Sequence, residues 1–225
     1  LVSWVKKRPT SIEIEVLFIL RMQAEPAAPN DQHPAGVDSV TEKVPLPGAI
    51  AADPRIMKGI EELKALCEFK DVSVLYDSTV DPFTANGLLN KVTAKPQVAI
   101  IIFTSEGDIF GVFYNEPVKP GKTYAITHVR MFSFECHGRC ETPRFFSPNR
   151  NRCGGVQLIF SSASDSIFTL SVRFSGYLTI GDDHSRSFGS SMSTAFEEME
   201  ETLLTGKDSD QPFTCTRLVA LKMVR

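Results

Sequence analysis

The chain has 225 residues and a net charge of −3 with both signs mixed along it, so it can bury a sizeable core and carries no basic footprint of a nucleic-acid binder. No apolar run is long enough to span a bilayer, so no transmembrane segment is expected. Five cysteines, an odd number at this length, argue against a secreted disulfide framework and for reduced thiols in an intracellular, cytoplasmic setting.

Residues 1–23 place a basic cluster, Lys6, Lys7 and Arg8, before the alternating Ile12, Ile14, Val16, Phe18 and Leu20. Glu13 and Glu15 interrupt that run and no small-residue cleavage site follows, which speaks against a secretory leader and leaves an edge strand. Residues 24–48 carry Pro26, Pro29, Pro34, Pro45 and Pro47 with few large apolar side chains. Such a stretch cannot offset the entropy of ordering and reads as a partly extended linker. Residues 1–52 are therefore expected to be a poorly ordered N-terminal segment and linker, and residues 53–225 one folded domain.

Residues 53–69 predict a helix. Asp53 can cap the first turn, Pro54 suits the first helical position, and Ile56, Ile60, Leu63 and Leu66/Cys67 recur at helical spacing. A docking helix fits this pattern better than the end of an upstream coiled coil, since barely two heptads are present. Residues 72–76 predict a strand. Asp81-Pro82 repeats the cap-plus-proline signal, so a second helix is expected over residues 83–92 with Phe83, Leu88 and Val92 turned inward. Asp77 and Asp81 could be taken for an acid/base pair, but turn and cap roles account for both.

The apolar run at residues 98–103 predicts a buried strand. Ser105-Glu106-Gly107-Asp108 is a turn, and residues 109–114 return as its hairpin partner, the expected centre of the domain. Pro117 ends the pairing. Pro120-Gly121-Lys122-Thr123 is a turn and not a phosphate loop: Glu116 stands where that motif needs glycine, and no helix follows the lysine. Residues 130–136 alternate as a half-buried strand, His137-Gly138-Arg139 turns, and residues 143–146 return. Three more strands are expected at 156–160, 167–172 and 178–180. A polar loop follows at 184–193, then a helix or loop at 194–204, and a closing strand at 213–224. Helices gathered early and consecutive strands later give an α+β chain of two packed antiparallel sheets, a β-sandwich with flanking helices.

Cys136, His137, Cys140 and Cys153 form the one metal-like set. Its spacing is poor for tetrahedral zinc, because adjacent residues on a strand point to opposite faces, and no metal site is expected. A cysteine nucleophile there would lack a third group to orient the histidine. His128 and His184 read as loop residues. Phe110, Phe132, Phe134, Phe160 and Phe168 fall at strand spacing and read as core, since no basic residues interleave them as a nucleobase-stacking surface would require. Serines within 185–193 belong to a solvated loop that could accept phosphate.

The succession V-L-Y-D-S-T-V-D, L-L-N-K-V, V-A-I-I-I-F-T-S-E-G-D-I-F-G-V-F, M-F-S-F and C-T-R-L-V-A-L-K-M resembles the TLDc domain family, most closely its divergent, amoeba-type members. Phe110-Gly111 matches the family's F-G pair and Phe132-Ser133-Phe134 its F-x-F strand, and the resemblance runs from Ile56 to Met223. Val118 stands after Glu116-Pro117 where a tryptophan is common, and the last strand ends Lys222-Met223 without an aromatic. The resemblance implies a two-sheet sandwich with no cofactor and no catalytic residue to carry over. It also implies a non-catalytic protein-interaction domain, tied to oxidative-stress protection or to a vacuolar proton-pumping ATPase subunit as partner. The alternative is a thiol-based antioxidant or redox enzyme using Cys136, Cys140 and Cys153, and a further one is a structural domain ending a longer coiled-coil protein.

Overall fold

In a computed structural model, the residues described are 46, 48–118, 124–126, 129–140, 142–149, 156–159, 166–172, 176–181, 187–208 and 211–225. The expectations for residues 1–45 and for the turn at 120–123 lie outside them. Two helices come first, α1 (Gly48–Ala51) and α2 (Pro54–Cys67). Then follow β1 (Asp71–Asp77), α3 (Ala85–Val92), β2 (Val98–Thr104) and β3 (Ile109–Tyr114). The middle of the chain supplies β4 (Tyr124–Ile126), β5 (Val129–Glu135), β6 (Arg144–Phe146), β7 (Val156–Ile159) and β8 (Ser166–Val172). It closes with β9 (Gly176–Gly181), β10 (Phe188–Ser190), α4 (Met192–Ala195) and β11 (Cys215–Val224).

All strand pairs are antiparallel and make two sheets, one of six strands ordered β1-β11-β2-β3-β5-β6 and one of five ordered β10-β9-β8-β7-β4. The α+β sandwich expected from the sequence is the fold observed. The β2–β3 hairpin lies in the middle of the larger sheet, and the last strand inserts between β1 and β2.

The continuous apolar run of β2 has a direct cause: both faces of its sheet are covered. Val98, Ile100 and Ile102 enter the core between the sheets, where they join Phe110, Val112, Leu158, Phe168 and Leu170. Ala99 and Ile101 face the other way, into a second core with Ile56, Ile60 and Leu63 of α2 and Phe132, Phe134 and Val219. The alternation of a strand sends successive side chains to opposite faces, so only a doubly buried strand can dispense with polar residues. The smaller sheet buries one face. Gln157, Thr169, Ser171 and Thr179 remain partly exposed on it, and the hydroxyls of Thr169 and Thr179 pair across the strands at 3.1 Å.

Two glycines allow close approach. A Cβ on Gly111 would lie 2.0 Å from the carbonyl oxygen of Ile100, its register neighbourhood on β2, and a Cβ on Gly59 would lie 2.2 Å from the Phe134 ring under α2. The first of these gives the Phe110-Gly111 pair a steric reason.

Local signals were partly redirected by tertiary contacts. Asp53 caps α2 through Arg55 N–H at 3.0 Å, as expected, and Leu66 on that helix is 45% exposed instead of facing inward. The second helix starts at Ala85 and not at residue 83; Thr84 is its cap, accepting from Gly87 N–H at 3.1 Å. Asp81 does not cap it. Its carboxylate accepts from Asp77 N–H at 3.0 Å and pairs with Lys91 at 3.1 Å, so a helix-start signal is spent on the preceding turn. The polar stretch at 184–193 contains β10, which pairs with β9. Among the described residues beyond it only Met192–Ala195 is helical; Phe196, in a bridge with Pro148, and Met199, Leu203 and Leu204 reach the core from non-helical backbone. Leu46 and Ile50, within the stretch read as linker, pack into the core beneath α2.

Candidate functional site

Two polar clusters are built into the six-stranded sheet. The first closes β1. Asp77 is 1% exposed, and a buried carboxylate needs several donors to stay ionised. Arg217 of β11 supplies two, Nη2 at 2.5 Å and Nε at 3.0 Å, while its guanidinium lies over the Phe103 ring at 5.5 Å. Thr79 supplies two more, its N–H at 3.1 Å and its hydroxyl at 2.9 Å. Burial pushes the Asp77 carboxyl up, and these bonds with Arg217 and Thr79 overcome it, holding the group below the usual carboxylate range. Ser78 ties the same turn to β11: its N–H donates to Leu218 C=O and its Oγ accepts from Leu218 N–H, each at 2.9 Å. Val80 and Asp81 N–H both donate to Asp77 C=O, at 3.0 and 2.8 Å. From this clamped turn Val80 projects with 83% of its surface exposed.

The second cluster lies where β5 turns toward β6. Ser133 is fully buried, and its Oγ lies 2.7 Å from Cys136 Sγ and 3.0 Å from Cys140 Sγ. His137 and Gly138 take φ values of 30° and 79°, and Arg139 N–H closes the turn on Cys136 C=O at 2.6 Å, which folds the two cysteines back toward one hydroxyl. The same turn grips the chain before Gly206: Cys136 Sγ donates to Leu204 C=O at 3.6 Å and Arg139 Nε to Leu203 C=O at 3.0 Å. Arg139 also pairs with the wholly buried Asp108 at 2.5 Å. The thiols titrate apart. The neighbouring Cys136, with Ser133 and Arg144, holds the Cys140 thiol below its usual range against the opposing effect of burial. Cys136 is pushed up by the neighbouring Cys140 and by burial.

Of the metal-like set, the structure joins Cys136 and Cys140, and Cys153 lies outside the described residues. Cys136 and His137 are not on the strand as the sequence suggested. Both follow its end at Glu135, and His137 is exposed on the turn while Cys136 is buried. Among the described residues no three His, Cys, Asp or Glu side chains are grouped to hold a metal. His128, His184 and Phe160 are likewise outside; Phe110, Phe132, Phe134 and Phe168 are core. Asp77 and Asp81 share a turn, with Asp77 taken up by Arg217. Sequence reasoning passed over Ser133, Arg139 and Arg217. Ser133 left a faint signal, a small polar residue between two phenylalanines on an otherwise apolar strand. Arg217 left none, because it lies 140 residues from the carboxylate it meets.

No helix among the described residues is long and apolar enough to cross a membrane. Comparison with curated proteins finds no match. Comparison with family models matches the TLDc domain over residues 49–220.

Proposed function

We propose, from the premise that this chain belongs to the TLDc domain family, that it acts as a non-catalytic docking body for a protein partner. The observation that carries this reading is the turn after β1. Asp77 and Ser78 tie it to β11 and Asp81 closes it on Asp77 N–H, yet Val80 stands outward with 83% exposure. A side chain presented on a rigid loop loses little entropy on binding. The buried ionisable groups fit the same reading, because Asp77 and Asp108 are each engaged by an arginine within the fold.

By family resemblance the partner is a subunit of the vacuolar proton-pumping ATPase, the setting is cytoplasmic, and the cellular outcome is protection against oxidative stress. The test is capture of purified ATPase subunits by this chain and by Val80→Asp. Burying a valine contributes about 1.5–3 kcal/mol, so the variant should bind at least roughly tenfold more weakly. Equal binding by both chains would place the interface elsewhere, and reproducible failure of the native chain to hold any subunit or cellular protein would end the docking reading.

A second reading, a thiol antioxidant enzyme using Cys136, Cys140 and Cys153, is favoured by the two sulfurs on Ser133. Repeated turnover requires both oxidant and reductant to reach the thiols freely, and with Cys140 8% exposed and Cys136 wholly buried the pair suits a single slow oxidation and not a catalytic cycle. Serine at all three positions should leave catalytic peroxide consumption unchanged if the docking reading is right.

A further inference from the structure

We propose that Cys136 and Cys140 close an intramolecular disulfide when the protein meets a hydroperoxide, and that closing it loosens the chain at Leu204. The inference stands on the thiol geometry and does not need the partner-binding reading.

The argument begins with Ser133. One hydroxyl has both sulfurs within hydrogen-bond reach, at 2.7 and 3.0 Å, so the sulfurs share a small buried volume. Three residues separate them along the chain, and the left-handed His137 and Gly138 turn the backbone so that they meet. Both are free thiols in this structure. Cys140 is the one of the two with any solvent exposure, its sulfur lies 3.0 Å from the Ser133 hydroxyl, and its thiol is held below the usual range by its neighbours Cys136 and Ser133. That arrangement makes it the attacking sulfur and Cys136 the resolving one.

The chemistry balances with a hydroperoxide as oxidant. The Cys140 thiolate attacks one peroxide oxygen, the O–O bond breaks, and the departing oxygen leaves as water or an alcohol after taking a proton. Cys140 is then a sulfenic acid. The Cys136 sulfur gives up its proton and attacks the Cys140 sulfur; the S–O bond breaks, and hydroxide leaves as water with that proton. Two thiols lose two electrons and the peroxide gains them.

The structural consequence follows from what Cys136 does when reduced. Its S–H donates to Leu204 C=O, and a disulfide sulfur has no hydrogen to donate. Arg139 remains on Leu203 C=O, so the chain is loosened at Leu204 and not freed. The other described cysteines are poorer candidates. Cys67 is half-buried with a pKa raised by burial, and Cys215 is buried and pushed up to about 12.

The test treats the full chain with hydrogen peroxide, quenches with an alkylating agent, and maps tryptic peptides without reduction. Trypsin cuts after Arg139, between the two cysteines, so the bridge appears as residues 131–139 joined to residues 140–144, lighter by two hydrogens than the separate peptides. The expected result is this linked pair in the oxidised native chain, its absence in Cys140→Ser, and a dimedone adduct on Cys140 in Cys136→Ser. Amide exchange at residues 203–206 should rise several-fold in the oxidised native chain. A native chain in which peroxide oxidises or bridges other cysteines first, with no link between 136 and 140, overturns the proposal. That readout needs no variant to fold. Unchanged exchange at 203–206 despite the link would overturn the loosening.

Discussion

Among the described residues are two buried carboxylate–arginine pairs that look alike and behave in opposite ways. Asp77 meets Arg217 and Asp108 meets Arg139, each at 2.5 Å, and the two carboxylates are 1% and 0% exposed. Yet Asp77 is held below the usual carboxylate range, while burial pushes Asp108 above it despite Arg139 and Thr104. The difference lies in the number of donors. Asp77 receives two bonds from Arg217 and two from Thr79. Asp108 receives one close bond from Arg139, a long one from the Thr104 hydroxyl at 3.3 Å, and has Glu106 nearby as a like charge. An arginine alone does not make a buried carboxylate comfortable; saturating its lone pairs does.

The sharpest way to break the comparison is to remove each arginine. Arg217→Ala leaves Asp77 buried and charged, and should destabilise the domain by about 3–5 kcal/mol in urea unfolding. Arg139→Ala should cost less, about 1–3 kcal/mol, because burial already pushes the Asp108 carboxyl up, so that it takes up a proton more readily than Asp77 once its partner is gone. Equal losses, or a larger one for Arg139, would show that burial depth and not donor count sets the scale.

The same contrast has a pH signature. A carboxyl with a lowered folded pKa contributes stability above its unfolded value, about 4, and that contribution is lost as pH falls through the folded value. Asp77 should therefore make the native chain weaker in acid, and Asp77→Asn should flatten that decline while lowering stability at neutral pH. Asp108 works the other way: its raised pKa contributes stability below the unfolded value, which fades as pH rises through the folded one. Asp108→Asn should thus steepen the net loss of stability with acid, and cost little at neutral pH. Unfolding free energies measured from pH 3 to 7 on the three chains separate these outcomes.

How far the sequence foretold these regions depends on the distance over which each signal acts. The doubly covered β2 announced itself, since Val98 to Ile102 offer no polar residue to a wet face. The Asp53-Pro54 cap was equally local and correct. Asp81-Pro82 carried the same letters and failed, because the turn it belongs to needed its carboxylate for Asp77 N–H. The insertion of β11 between β1 and β2 leaves no trace in periodicity, which reports which face is buried and not which strand is next. Asp77 with Arg217, the polar heart of the candidate site, is invisible for that reason: the pair exists only once β11 has found its slot. The thiol cluster was half legible. Its cysteines stood out, but the reading that set adjacent residues on opposite faces of a strand assumed the strand continued past Glu135, and it does not.

The smallest predicted effect is the most direct on the idea of donor count. Thr79→Val keeps the side-chain shape and the backbone N–H, and deletes only the hydroxyl that reaches Asp77 at 2.9 Å. The loss should be about 0.5–1.5 kcal/mol at neutral pH, the usual contribution of one such bond. More telling is the direction in acid. With three donors in place of four, Asp77 moves part of the way toward the behaviour of Asp108, so the acid-induced decline should begin at a higher pH than in the native chain. Arg217 and its 2.5 Å contact remain, which means that any shift comes from the missing hydroxyl and not from a broken ion pair. A variant whose acid profile overlays the native one would mean that the arginine alone holds the Asp77 pKa down, and the contrast between the two pairs would then need another cause.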